Sequence, residues 1–363
     1  GLLPGYSVSG VTAGMLLSLF RILQGIGVGG EWGGSVLLSM EWGSNERRGL
    51  NASWPQIGVP VGLILGNGVM LLFSALSGPG FLVWGWRVPF LLGLVLVAIG
   101  LYIRLGILET PTFTRLLEQR RIAARPLAEA IRCYPREILL GALVRTSEQA
   151  PFYLYTSFIL SYATGRLSYG RDFMLLSVMV AAGFSLFTVP ASGYLSDRYG
   201  RKLLYALGAI ASALFAFPYF LLLGSGMAAL AMLAVILSLV THDLQYGPQA
   251  ALIAESFTGR LRYSGASLGY HLASIVSGGP APLIAATLLA ASGTSTGIAV
   301  YLVLCSAVTL VALGLLPDRQ RMDHGLEYDQ AEAAGTVAER RSRWPLPGRP
   351  PVLSESRGPQ PPG

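Results

Sequence analysis

Nine apolar runs follow one another along the chain, at about residues 12–40, 50–76, 88–107, 138–163, 172–194, 203–223, 227–254, 265–291 and 297–316. About 20 apolar residues suffice to cross a bilayer as a helix, and each run reaches that length. The runs are too long and too continuously apolar for barrel strands, whereas a helix satisfies its own backbone hydrogen bonds in lipid. The pattern therefore predicts an all-α polytopic membrane protein. Three runs carry polar residues at helical spacing. In the first, Arg21, Gln24, Val28 and Glu31 fall within an arc of about 80° at about 100° per residue, and glycines crowd the rest of the segment. In the fourth, Arg145, Glu148, Gln149, Phe152, Tyr155 and Thr156 share a face. Glu148 lies about 15 Å into that run at 1.5 Å per residue, close to the midplane, and Arg145 is spaced to pair with it. In the seventh, His242, Gln245, Tyr246 and Gln249 share a face, with Asp243 to one side.

Ionisable groups at membrane depth are costly, and they face a bundle interior or a water-filled cavity. Two readings follow. The polar faces line a transport pathway, or they form structural interfaces in which Glu148 neutralises Arg145 and His242 is a satisfied helix-packing residue.

The loops set the orientation. Most of the 26 Lys and Arg lie in alternate connections. They include Arg47 and Arg48, the Arg104–Arg136 segment, Arg198, Arg201 and Lys202, Arg260 and Arg262, and the tail after Arg319. By the positive-inside rule these loops are cytoplasmic, nine crossings close consistently, and the tail is cytoplasmic. The same distribution explains the net charge of +7 without nucleic acid. Only 12% of residues are charged, against about 25% in soluble domains. Two cysteines, Cys133 and Cys305, make neither a disulfide framework nor a metal site. The chain opens on Gly-Leu-Leu-Pro, like the end of a preceding hydrophobic segment, so an N-terminally truncated chain is expected. The expected organisation is three spans in residues 1–109, a basic linker at 110–137, a six-helix bundle at 138–317 and a disordered cytoplasmic tail at 318–363.

An internal repeat relates the halves. One register shift, without gaps, sets Gly33 on Gly247, Leu38 on Leu252, Glu41 on Glu255, Arg48 on Arg262, Ala52 on Ala266 and Ser53 on Ser267. Parallel repeats about an axis normal to the membrane are a transporter signature. The second half has three spans before its matched hairpin; the first half has none, so three are expected upstream of Gly1.

The turn after the fifth run reads Gly193-Tyr-Leu-Ser-Asp197-Arg198-Tyr-Gly200-Arg201-Lys202. Its glycines allow close packing or a tight turn, and Asp197 can accept from a helix N-terminus or pair with an arginine. It resembles the signature loop of the major facilitator superfamily, G-x-x-x-D-R-x-G-R-[RK], at every specified position. Arg21-Ile-Leu-Gln24-Gly25-Ile-Gly27 resembles that superfamily's fourth-helix motif. Gly29-Gly30-Glu31-Trp32-Gly33-Gly34, Gly85-Trp86-Arg87-Val88-Pro89-Phe90, Glu109-Thr110-Pro111-x-Phe113, and the segments around His242–Ala251 and Arg262–Tyr270 resemble its metabolite:proton symporter branch, which includes osmolyte, shikimate and oxoglutarate carriers. The resemblance implies a twelve-helix bundle with two pseudo-symmetric halves, of which about nine helices are present. It implies a cytoplasmic gate at Gly193, Asp197, Arg198, Gly200 and Arg201.

Other matches carry little. Gly265-Ala-Ser267-Leu-Gly269 fits G-x-S-x-G, but a nucleophile elbow needs a strand before it, and here a membrane span opens. Neighbours on a helix point about 100° apart, so His242 and Asp243 are not expected to converge on an ion. An enzyme is not expected, nor is a metal or a cofactor. Gly58, Gly62 and Gly66 read as a tight packing ridge. The expected function is proton-coupled symport of a small polar metabolite, an organic acid or a zwitterionic osmolyte, by alternating access. Arg21 or Arg145 attracts a carboxylate. Glu31, Glu148 or Asp243 carries the proton, because burial favours an uncharged carboxyl, and His242 is the next candidate. Gln24, Tyr155, Tyr246 and Gln249 hydrogen-bond the substrate. The partners are then the substrate, protons and the lipid bilayer, with no oligomer expected. A passive facilitator of the same fold, or a non-transporting membrane fragment or scaffold, is the alternative.

Overall fold

The computed structural model describes residues 1–3, 9–106, 125–257, 261–318 and 320. The Glu109–Phe113 motif, most of the linker and all of the tail except Asp318 and Gln320 lie outside the described residues. Among the described residues every regular element is helical. Eight stretches are long and apolar enough to cross a membrane: Val11–Trp42, Arg48–Leu82, Arg87–Gly106, Arg171–Tyr199, Arg201–Leu223, Ala228–Ala254, Arg262–Ser292 and Thr296–Leu315. The first run is two helices, α1 (Val11–Gly29) and α2 (Glu31–Trp42), broken at Gly30. The second is α3 (Arg48–Gln56) and α4 (Gly58–Ser77), and the third is α5 (Arg87–Gly106).

The fourth run is the ninth candidate, and it is helical in pieces. After the short α6 (Pro126–Cys133) come α7 (Pro135–Val144), α8 (Thr146–Tyr153), a π turn (Leu154–Phe158) and α9 (Ile159–Arg166). Its polar centre lowers its hydropathy, and the backbone steps out of the helix at Arg145. Interrupted backbone at membrane depth must find other partners. Here the Ser147 N–H donates to Thr309 Oγ1 at 2.9 Å, while Thr309 and Tyr205 hydroxyls donate to the Val144 carbonyl at 2.9 and 3.2 Å. Pro151 has no N–H for the Ser147 carbonyl four residues back, and that oxygen accepts from Gln245 Nε2 at 3.4 Å.

The remaining helices are α10 (Arg171–Tyr199), α11 (Arg201–Leu223), α12 (Ala228–Ala254), α13 (Arg262–Ala273), α14 (Ala281–Ser292) and α15 (Thr296–Leu315). A π turn at Ser274–Gly278 joins α13 towards α14. Residues Gly1–Arg321 form one compact unit. Within it α12 packs on α10 and α11, and α11 on α15. The first half meets the second where α3 and α4 lie on α10, where α2 lies on α12 and α13, and where α3 lies on α12.

Burial follows the rule for helices in lipid, where small residues let backbones approach and large apolar ones face the acyl chains. The buried stripe of α10 includes Ser177, Ala181, Ala182, Ser185, Ser192, Gly193 and Ser196, while Phe184 and Phe187 are exposed. The ridge Gly58, Gly62 and Gly66 does not pack as expected: a Cβ added at any of them meets nothing within 4 Å among the described residues.

Candidate functional site: a buried charge chain and a latch

The fourth and seventh runs bring their polar faces together. Arg145, fully buried, pairs through Nη2 with Glu148 Oε2 at 3.1 Å, as their i,i+3 spacing predicts. It also donates to Gln149 Oε1 and to the Tyr270 carbonyl, and its Cζ lies 3.4 Å from the centre of the Tyr270 ring. Glu148 accepts from Gln249 Nε2 at 2.7 Å, and its other oxygen faces His242 Nε2 at 3.2 Å. His242 Nδ1 faces Asp243 Oδ1 at 3.0 Å, and Asp243 accepts from Thr188. Adjacent side chains on one helix thus meet, because the Asp243 carboxylate lies beside the neighbouring ring. Phe152 and Tyr246 flank the imidazole, with ring centres at 5.2 and 5.0 Å.

The chemistry of this chain is set by proton count. A neutral imidazole has one N–H and one lone pair, while an imidazolium has two N–H groups. His242 has a carboxylate on each ring nitrogen, so only the doubly protonated ring, or a protonated carboxyl, satisfies both contacts. With His242 protonated, Arg145, His242, Glu148 and Asp243 sum to zero; with one proton fewer they sum to −1. A small gap separates His242, Asp243 and Tyr246 from Pro60 and Leu63 of the first half. Among the described residues no group of three or more His, Cys, Asp or Glu could hold a metal ion.

The signature loop builds a second constellation. Gly200 ends α10 at φ +105°, a conformation glycine adopts without strain. Asp197 accepts the backbone N–H groups of Gly49 (2.8 Å) and Leu50 (3.0 Å) at the N-terminus of α3, where a helix favours an anion. Arg201 donates to Asp197 at 2.8 Å and makes a two-pronged pair with Glu255, at 2.7 and 2.9 Å. Gly193 makes room: a Cβ there would stand 2.7 Å from the Gly49 carbonyl. Burial pushes the Glu255 carboxyl above its ordinary range, against the charges of Arg201, Arg48 and Arg262, which pull it down. Gln320, beyond the last helix, accepts from the Arg201 N–H at 3.0 Å and donates to the Ser196 carbonyl at 3.2 Å. Arg198 is exposed.

The other expected residues lie apart from these two groups. Arg21 Nη1 donates to Gln24 Oε1 at 3.2 Å; both are exposed, as is Glu31, and α1 buries no residue. Gln245, set by the repeat at the depth of Glu31, is buried against Ser147 and Ser212. Tyr155 is 1% exposed in the apolar core against Tyr219, with ring centres 4.7 Å apart, and does not join the charge chain. Ser267 is interior to α13, so G-x-S-x-G is not an elbow. Sequence reasoning missed Tyr270, Tyr205, Thr188 and Gln320 as partners. The repeat had marked Glu255, and that match was the signal for its role.

A bundle of apolar helices with a charged chain buried at depth and a glycine-built latch between halves defines a multi-pass membrane carrier. Comparison with known proteins agrees. The Major Facilitator Superfamily model matches residues 1–278. The inner membrane metabolite transport protein YhjE of Escherichia coli is 37% identical over 320 residues, covering 86% of this chain and 72% of that protein. The shikimate transporter of Escherichia coli is 35% identical, covering 88% of this chain and 74% of that protein. A crystal structure of a double-tryptophan mutant of XylE superposes with a TM-score of 0.61 at 16% identity, covering 81% of this chain and 69% of that one, and so shares the fold. The chain belongs to the Major Facilitator Superfamily, among its metabolite transporters; it is not an enzyme.

Proposed function

We propose that this protein is a proton-coupled symporter of a small polar metabolite, an organic acid or a zwitterionic osmolyte, working by alternating access. It resides in the cytoplasmic membrane with the arginine-rich loops and the tail on the cytoplasmic side. The observation that carries the reading is the imidazole of His242 held between two carboxylates, Glu148 and Asp243, beside the buried cation Arg145. Adding one proton to this chain changes its net charge from −1 to zero. Arg145 then attracts a substrate carboxylate, while Gln249 and Tyr246 offer hydrogen bonds. A carboxylate that takes Arg145 frees Glu148 to take up the proton, so both ligands load one site. Arg21, Gln24 and Glu31 are exposed and lie apart from this chain, and Tyr155 lies in the apolar core.

The latch of Gly193, Asp197, Arg198, Gly200 and Arg201 is the cytoplasmic gate. It is made in this conformation, and it must break for the halves to part on that side.

The test is to reconstitute the protein into liposomes containing a trapped pH dye. A panel including shikimate, other organic acids and betaines is then added. Substrate-dependent acidification is expected. Uptake of a panel member with no movement of internal pH, at any external pH, would replace symport with passive facilitation.

A further inference from the structure

Trp32 of α2 stacks on Tyr270 of α13, with ring centres 3.7 Å apart and planes 20° from parallel. The Arg145 guanidinium carbon also lies 3.4 Å from the centre of that ring. Two flat groups, each less than 4 Å above one centroid, cannot share a face, so Tyr270 is clamped between indole and guanidinium. The indole belongs to the first half and the cation to the second. The Trp32 indole N–H donates to Gln56 Oε1 at 3.0 Å, and Gln56 Nε2 donates to the Tyr246 carbonyl at 3.2 Å, which pins the indole against α12.

The position of this sandwich matters. Counting about 1.5 Å per residue from the latch ends of their helices, Tyr270 lies about 12 Å deep and Arg145 about 15 Å. His242 and Ser185 lie deeper, at about 18–21 Å, on the gap between the halves. The sandwich therefore lies on the latch side of His242 and Ser185, with Arg145 belonging both to it and to the charge chain. Two buried polar atoms beside it, Arg145 Nε and Gln249 Oε1, have no hydrogen-bond partner, so this arrangement leaves binding capacity unused in the shut state.

We propose that Trp32, Tyr270 and Arg145 form an inner gate, which shuts the path from the latch to His242 while the guanidinium rests on the tyrosine ring. Trp32 is its positioning residue. Parting α2 from α13 must unstack the indole, and drawing Arg145 away uncovers the other face, so the gate links movement of the halves to occupancy of Arg145. The inference rests on reading the charge chain as the transport site, but its test does not require transport.

The reporter is Ser185→Cys in a chain carrying Cys133→Ser and Cys305→Ala, labelled in membrane vesicles of both orientations by the anionic, impermeant reagent 2-sulfonatoethyl methanethiosulfonate. Each variant is first shown to be monodisperse by gel filtration. Trp32→Leu is expected to raise the labelling rate about tenfold from the latch side alone, whereas Trp32→Phe, which keeps a ring on Tyr270, stays within about threefold. Arg145→Lys, which keeps the charge but loses the flat stack, is expected to raise it similarly. The Trp32→Leu, Arg145→Lys double variant should match either single one, because they undo one sandwich. Tyr270→Leu provides the same readout should the Trp32 variant fail to fold. Unchanged labelling in Trp32→Leu, an equal rise in Trp32→Phe, or effects that multiply in the double variant would overturn the gate. The liposome assay can fail separately, with the labelling pattern intact.

Discussion

Removing Arg201 should destabilise the closed bundle by far more than an ordinary surface ion pair could account for. Its guanidinium makes two short bonds to Glu255, at 2.7 and 2.9 Å, and the side chains are 3% and 4% exposed. Exposed pairs are worth about 0–1 kcal/mol. A buried pair that loses one partner leaves an uncompensated charge and costs about 3–5 kcal/mol. Arg201→Met keeps most of the volume and removes the charge, leaving Glu255 with only the charges of Arg48 and Arg262, so the lower end of that range, about 3 kcal/mol, is expected. Adding Glu255→Leu removes the buried carboxylate and should recover most of the loss. The pH dependence has a definite sign. Burial already holds the Glu255 carboxyl above its ordinary range, and losing Arg201 removes a charge that pulls it down. The folded variant then holds its proton to higher pH than the unfolded chain does. Its deficit is small below the ordinary carboxylate range and grows as pH rises through the folded-state value. Equilibrium unfolding in mixed micelles of increasing dodecyl sulfate fraction, measured across pH 4 to 8, reads all three quantities. A loss below about 1 kcal/mol for Arg201→Met, or a double variant no more stable than the single one, would refute the buried-latch reasoning.

Three further outcomes follow from the same geometry. Glu148→Gln should abolish substrate-driven acidification in liposomes, while Glu31→Gln, at an exposed position away from His242, should retain it; the reverse result would move the proton site to the first run. Asp197→Asn loses the pair with Arg201 and the charge at the α3 N-terminus, and should cost about 1–3 kcal/mol in the micelle assay. Gly193→Ala sets a methyl 2.7 Å from the Gly49 carbonyl, so α10 and α3 must separate; a loss of about 1–3 kcal/mol is expected, with Ser192→Ala as the mild control.

Much of the fold was readable because membrane helices announce themselves locally. Length and apolar continuity determine that a segment spans, since lipid offers no partner to an unpaired peptide group. The i,i+3 pair of Arg145 and Glu148 was readable for the same reason: both ends lie on one turn of one helix. Gly200 was readable as a turn residue, because only a local backbone angle is required of it.

What the chain alone did not determine depends on how helices cross. His242 lies far from Glu148 in sequence, and only the packing of α12 beside α8 closes that contact. Tyr155 was placed on the Arg145 face by a uniform helical angle, but the break at Arg145 and the π turn at Leu154–Phe158 change the register and turn it into the apolar core. The Arg21 stripe was read from one continuous helix, yet the break at Gly30 sets Glu31 on α2, and α1 packs only lightly on it, so Arg21 and Gln24 stay exposed. Sequence by itself determined the spans, the basic loops, the repeat and the polar faces, because periodicity and hydropathy are properties of one segment. Tertiary structure alone decided which polar faces meet, because the distance between two side chains on different helices is set by the crossing of the helices and by the small residues that let them approach.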